Sequence, residues 1–159
     1  MRDDIRMSEA EVAAFLREGR TMTLVTNGPR GFPHAVAMFY GLDDDGTVRF
    51  STYERSQKVK NIERDPRVTL LVERGSAYAE LRGVMIEGRA EISKDLDATV
   101  ATMIEATAAT GSPLPDPGAI PQAMKERMAG KRVLVRVRPE RVVSWDHGKL
   151  PEGKAPSGS

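Results

Sequence analysis

The stretch Phe50-Ser-Thr-Tyr-Glu-Arg-Ser-Gln-Lys-Val-Lys-Asn-Ile-Glu-Arg-Asp-Pro66 holds the residues of this chain best suited to chemistry. It begins as the end of a strand, with Val48 and Phe50 pointing one way and Arg49 and Ser51 the other. The strand breaks at Thr52-Tyr-Glu-Arg55, and a short helix restarts with Ser56 at its N-cap position. Val59 and Ile62 give that helix a buried stripe. Asp65-Pro66 ends it, because the residue before proline is pushed out of the helical region. A helix start with Ser56, free backbone N–H groups and Lys58 in its first turn is built to hold an anion. The same residues also fit a capped surface helix whose lysines are merely solvated, and spacing alone leaves both readings open.

Other chemistries find little support. His34 and His147 are the only imidazoles, and Ser144, Asp146 and His147 crowd too closely in sequence to face one another across a site. The chain has no cysteine, hence no disulfide, thiolate metal site or thiol nucleophile. No HExxH-like spacing brings carboxylates to the two histidines, and no metal ligand is assigned. Asp43-Asp-Asp-Gly46 looks like the start of a calcium loop, but the later ligands and the closing glutamate are absent, so it reads as a solvated turn. Neither a GxGxxG nor a P-loop signature occurs. The hard chemistry would then belong to a cofactor, with the protein supplying position and electrostatics. No catalytic side chain is assigned.

A chain of 159 residues fits one domain and can bury a core without staples. Its 24 basic and 23 acidic side chains nearly cancel, and they alternate along the chain, which gives no footprint for nucleic acid. The N-terminus has no apolar leader, and no apolar run approaches the ~18 residues of a membrane span. A soluble, cytoplasmic protein is expected.

The elements that must position Ser56 and Lys58 are mostly strands. Ser8-Glu-Ala-Glu11 is a capping box opening a helix that packs through Val12, Phe15 and Leu16 and closes at Gly19 as its C′ residue. The segment before it, Met1 to Met7, is polar and expected to be loose. Strands are expected over 21–26, 33–40 and 47–52, with Val36, Met38 and Tyr40 opposing Ala35, Ala37 and Phe39. Further strands are expected over 67–73, 77–93 and 131–138, with glycines 83 and 88 marking bulges or bends. On the last strand Val133, Val135 and Val137 face inward and Arg132, Arg136 and Arg138 outward. A helix over 95–110 presents Leu96, Val100, Met103, Ile104 and Thr107 on one face. Three prolines between Gly111 and Gly118 make a stiff connection to a weaker helix over 119–129. The result is one domain over 1–148 and a disordered tail over 149–159.

The pattern of strand, Ser51-Thr52, a short gap, Ser56-x-Lys58-x-Lys60-Asn61-Ile62, then Arg64-Asp-Pro-Arg-Val68 and another strand resembles the split-barrel flavin and deazaflavin oxidoreductases, the relatives of pyridoxamine 5′-phosphate oxidase. Gly83-Val-Met-Ile-Glu-Gly-Arg-Ala-Glu91 resembles a strand of the same family. The resemblance spans roughly residues 10 to 92, with weaker support over 131–148. It implies a mainly β fold, an antiparallel split β-barrel with peripheral helices.

It also implies roles. Ser56, Gln57 and Lys58 would contact a cofactor phosphate, with Lys60 and Asn61 matching the same pattern. Ser51 and Thr52 would line the strand end beneath the cofactor. The backbone of Val36, Ala37 and Met38 would run along its ring system. The family forms two-fold homodimers with each cofactor between subunits, so Trp145 would act from the partner or simply anchor its own tail. Arg132 reads as a solvated strand residue or as a reach toward an anion.

The vitamin B6 oxidases close with a tryptophan followed by an Arg-Leu-x-x-x-Arg-like tail. Here the sequence is Trp145-Asp-His-Gly-Lys149, which argues against pyridoxal phosphate synthesis. The chain better resembles the actinobacterial reductases that use coenzyme F420, passing hydride to or from an electron-poor organic substrate. FMN in place of F420, or a non-catalytic flavin- or haem-binding protein, are the alternatives. Segment 95–130 is expected to shape the substrate side.

Overall fold

The computed structural model describes residues 3–108 and 113–151. In chain order the elements are α1 (Glu9–Glu18), β1 (Thr21–Asn27), β2 (Pro33–Phe39), β3 (Gly41–Leu42), β4 (Val48–Tyr53), α2 (Gln57–Arg64), β5 (Arg67–Arg74), β6 (Arg82–Ser93), α3 (Leu96–Thr107), α4 (Gln122–Ala129) and β7 (Arg132–Asp146). Short 3-10 turns occupy Tyr78–Glu80, Pro117–Ala119 and His147–Lys149. Among the described residues no helix is long and apolar enough to cross a membrane.

All seven strands form one antiparallel sheet in the order β2-β1-β5-β6-β7-β4-β3. Its two edge strands, β2 and β3, are consecutive in the chain and joined through Tyr40 alone. That link curls the sheet on itself, while β2 and β4 share no ladder, so the barrel is split along that seam. Period-two alternation sends Met22, Leu24, Phe50, Leu70, Ile86, Val133, Val135 and Val137 inward, where all are buried. Each such side chain contributes ~1.5–3 kcal/mol of burial. Phe15 and Leu16 of α1 and Val59 and Ile62 of α2 join the same cluster.

Several expectations need correction. The final strand is Arg132–Asp146, not 131–138: a bulge at Glu87/Gly88 faces Pro139, which has no N–H to donate, and pairing with β6 then resumes to Asp146. A 3-10 turn takes the start of the expected 77–93 strand. The short β3 was not expected. Between Pro113 and Gln122 only one 3-10 turn is regular, and the second helix begins at Gln122.

On α3 the buried residues are Thr99, Val100, Thr102 and Ala106. The stripe is rotated from the expected one because both threonines have internal partners: the Thr99 hydroxyl donates to the Asp95 carbonyl, and Thr102 Oγ1 accepts from Arg49. Leu134 is buried although it faces away from the barrel, because α3 packs over β7 there.

Gly19 is a C-cap in extended conformation (φ −73°), not a left-handed C′ residue. Its lack of a side chain serves close packing, since a Cβ there would lie 2.2 Å from the Tyr40 hydroxyl. The N-terminal segment is held, not loose: Met7 is buried, its N–H donates to Ser144 Oγ, and Ile5 O accepts from Asp146 N. Lys149 is likewise structured, its ammonium 2.7 Å from Glu11. Leu150 is placed too, its N–H donating to His147 O; residues 152–159 of the expected disordered tail, and the end of the 95–110 helix with the first residues of the proline-rich link, lie outside the described residues.

Candidate functional site

Strand β4 ends at Tyr53, and the Glu54 N–H donates to Lys131 O, which ties the following turn to the start of β7. The turn closes with Ser56 N–H on Tyr53 O, and α2 begins. Buried Asn61 fixes the helix to β1 by donating to Thr26 Oγ1 at 3.0 Å. Its own Oδ1 accepts from Gln57 and Arg64. The Gln57 amide is thus spent on orienting Asn61, and Asn61 bridges two elements instead of capping local backbone.

Ser56 sits at the N-cap but makes no side-chain cap bond. Its Oγ is buried without a hydrogen-bond partner, and so is Nε of Arg132. Arg132 stands opposite Tyr53 in the β4–β7 ladder, its guanidinium 4.2 Å from the centre of the Tyr53 ring. Burial, and then repulsion from Arg132, hold the Lys58 ammonium below its ordinary pKa. Lys58 and Arg132 are thus two cations close enough to repel, and the unpartnered Ser56 hydroxyl caps the helix that carries Lys58. Such a group is costly as it stands and is stabilised by an anion with several acceptor oxygens.

Of these three side chains Arg132 lines a cleft of about 310 Å³ lying across the barrel seam. Ala37, Met38 and Phe39 form one wall, Ser51 and Arg132 another, and Met103, Ile104 and Met128 the third. Arg49 holds that third wall in place: Nε donates to Asp43 at 2.6 Å, Nη1 to Thr102 at 2.8 Å and Nη2 to Glu105 at 2.7 Å. Buried Lys125 ties α4 to α3 through Asp97 at 2.8 Å.

The structure brings Ala37, Met38 and Ser51 together at the cleft with Arg132, which is near enough to Lys58 to repel it, while Ser56 caps the helix that carries Lys58. Thr52 instead points into the barrel and is buried, Val36 packs against the core, and Lys60 is exposed. Trp145 is eleven residues along β7 from Leu134, the partner of Ser51, or roughly 35 Å of extended strand. There its ring covers Gly83, where a Cβ would lie 2.2 Å from Trp145 Cζ2. Within one chain Trp145 is therefore remote from the cleft. From the sequence Arg132 reads as a solvated residue or an anion contact and Arg49 goes unnoticed, because both depend on partners outside their own strand that spacing does not reveal.

A family model described as pyridoxamine 5′-phosphate oxidase matches residues 8–146. The chain belongs to that family. The pyridoxine/pyridoxamine 5′-phosphate oxidase of Burkholderia lata is 40% identical over 88 residues, covering 54% of this chain and 39% of that protein. The chain thus spans about two fifths of the length of such curated relatives. Among solved structures, conserved hypothetical protein Rv2991 from Mycobacterium tuberculosis is similar over almost its whole length, with a TM-score of 0.83, 42% identity and coverage of 98% of this chain and 96% of that one. An F420 reductase matches with a TM-score of 0.60 and 25% identity, covering 81% of this chain and 93% of that one. The resemblance to the split-barrel oxidoreductases is thereby upheld, as is the mainly β fold.

Lys58→Met should remove a partly buried charge that repels Arg132 and keep the aliphatic stem. The ligand-free variant is expected to melt no lower than the parent at neutral pH, while inorganic pyrophosphate binds about tenfold more weakly or worse. Calorimetric melting and titration check both halves. A lower melting temperature with unchanged pyrophosphate binding would show that the cation pair is structural.

Proposed function

We propose that the chain is an oxidoreductase that binds a phosphate-bearing deazaflavin, coenzyme F420, and passes a hydride between it and a small electron-poor organic substrate. The observation that supports this reading is Arg132 on the wall of a mostly apolar cleft, repelling Lys58 of a helix that starts at the unpartnered Ser56 hydroxyl. An anionic phosphate satisfies the cations, and a flat ring system fits between Ala37 and Met38 on one side and Met103 and Met128 on the other. When bound, the cofactor supplies the two-electron chemistry. The residues of this chain hold the phosphate, set the ring against the backbone of β2, and keep water from its face through the apolar wall of α3 and α4. Among the described residues no carboxylate or imidazole lines the cleft, and hydride transfer needs none from the protein.

F420 is favoured over FMN by two considerations. One relative of matching fold is an F420 reductase. Exposed Arg30, Arg55 and Lys60 also lie on the segments around the site and suit an acidic cofactor tail. Affinity for F420 should exceed that for FMN a few-fold at low salt, and the difference should shrink as salt rises. Titrations of both cofactors at two ionic strengths, with oxidation of reduced F420 by enones or quinones, test this. Tight, salt-insensitive FMN binding with weak F420 binding would transfer the site to a flavin.

The same reading includes a homodimer. On the outer face of the sheet, Ala37, Thr23, Leu71, Met85 and Val143 form one cross-strand row over five strands, two positions from Trp145. A second copy against this row would cover it and bring its own Trp145 toward the cleft. Light scattering should give twice the 17.4 kDa chain mass. Met85→Glu should halve it and weaken cofactor binding, whereas a monomeric parent at micromolar concentration would refute the arrangement.

A further inference from the structure

A cavity of about 570 Å³, larger than the cleft, opens between α1, the turn joining β3 to β4, and the second half of β7. Its origin lies in the topology. Strand β4 pairs only with residues 132–137 of β7, so beyond the bulge β7 has β6 on one side and no strand on the other. Val142 there is left 45% exposed on the inner face of the sheet. With Val12, Leu16, Leu42 and Ile86 it makes an apolar floor.

The rim is acidic. Arg6 is occupied by Asp3 and Asp43 by Arg49, each at 2.6 Å. That leaves Glu9, Asp44 and Asp45 against Arg17 on the rim and Arg138 near Asp45, an excess of one negative charge over an apolar floor. Cavities of this size commonly take small molecules. The charge and the floor together select an apolar cation, since an anion would meet repulsion and a strongly hydrated ion would gain nothing from Val142 and Leu42.

The cavity shares no lining residue with the cleft, yet one side chain touches the walls of both. Arg49 donates to Asp43 on the cavity rim and to Thr102 on the cleft wall. Its other partner, Glu105, accepts from the N–H of Leu42 on the cavity floor. We propose that this cavity is a second ligand site, for a small apolar ammonium compound, and that Arg49 carries its occupancy to the cleft.

Titrating benzylammonium chloride into cofactor-free, methyl-labelled protein tests this independently of which cofactor binds. Methyl signals of Val12, Leu42 and Ile86 should shift saturably, and those of Thr102 and Met103 should move with the same midpoint. Benzoate, with the same ring and opposite charge, should bind about tenfold more weakly or worse. Val142→Lys places an ammonium on the half-exposed floor and should abolish binding while the remaining methyl spectrum is preserved. Asp44→Asn, on an exposed turn, should weaken it a few-fold. Absence of saturable shifts, equal binding of benzoate, or parent-like binding by Val142→Lys would overturn the site. Shifts confined to the cavity would overturn the link through Arg49. Floor signals that respond to protein concentration and not to the amine would make the cavity a face between copies, and the proposal would fall.

Discussion

The constraint on which this structure rests is the chain's continuity at Tyr40. Strands β2 and β3 are opposite edges of one sheet, yet a single residue joins them. The sheet must therefore curl until its edges meet, and it can do so only because successive strands twist and coil. Tyr40 reinforces the corner: its buried hydroxyl donates to Leu16 O at 2.6 Å, tying α1 across the closure, with Gly19 giving the ring room. Burial pushes that hydroxyl's pKa up to about 12, so it keeps its proton throughout the neutral range. The closure is incomplete, since β2 and β4 do not pair, and the cleft lies on that seam.

The site is then a compromise between stability and binding. Lys58 and Arg132 repel, and Arg132 Nε and Ser56 Oγ are buried without protein partners, an arrangement that disfavours the folded state and that a bound anion would relieve. The rest of the fold holds these groups from several directions. Asn61 pins α2 to β1, Glu54 pins the turn to Lys131, and Tyr53 stacks beneath Arg132. Arg49 plays the complementary part on the other wall, turning one guanidinium toward three acceptors so that α3 lies at a fixed distance from β4. Rigid support for an intrinsically unfavourable cluster is what preorganised binding requires.

Much of the fold was legible because alternation is a local property. The inward sets Val48/Phe50 and Val133/Val135/Val137 emerge from spacing alone, and the capping box of Ser8 and Glu11 is observed as expected. What was illegible depends on partners distant in sequence. The second half of β7 is a strand because β6 pairs with it across a bulge, and a proline at position 139 conceals that continuity. Residues Ile5 to Met7 are ordered because Ser144 and Asp146 lie beside them. Helix α3 exposes Met103 and Ile104 to the cleft because Arg49 claims Thr102, and no hydrophobic count could reveal that. In the candidate site, the short Ser56–Lys58 spacing draws attention to the start of α2, while Arg132 needs the register with Tyr53 to be placed near it.

The proposed function stands on a phosphate held by Ser56, Lys58 and Arg132 beside the cleft. The most direct measurement compares FMN with riboflavin on the cofactor-free protein, since the two share a ring system and differ only in the phosphate. FMN is expected to bind tighter by about tenfold or more, the scale of charge-assisted hydrogen bonds, and Arg132→Ala to narrow the gap. Equal affinities for the two molecules, unchanged in Arg132→Ala, would contradict it.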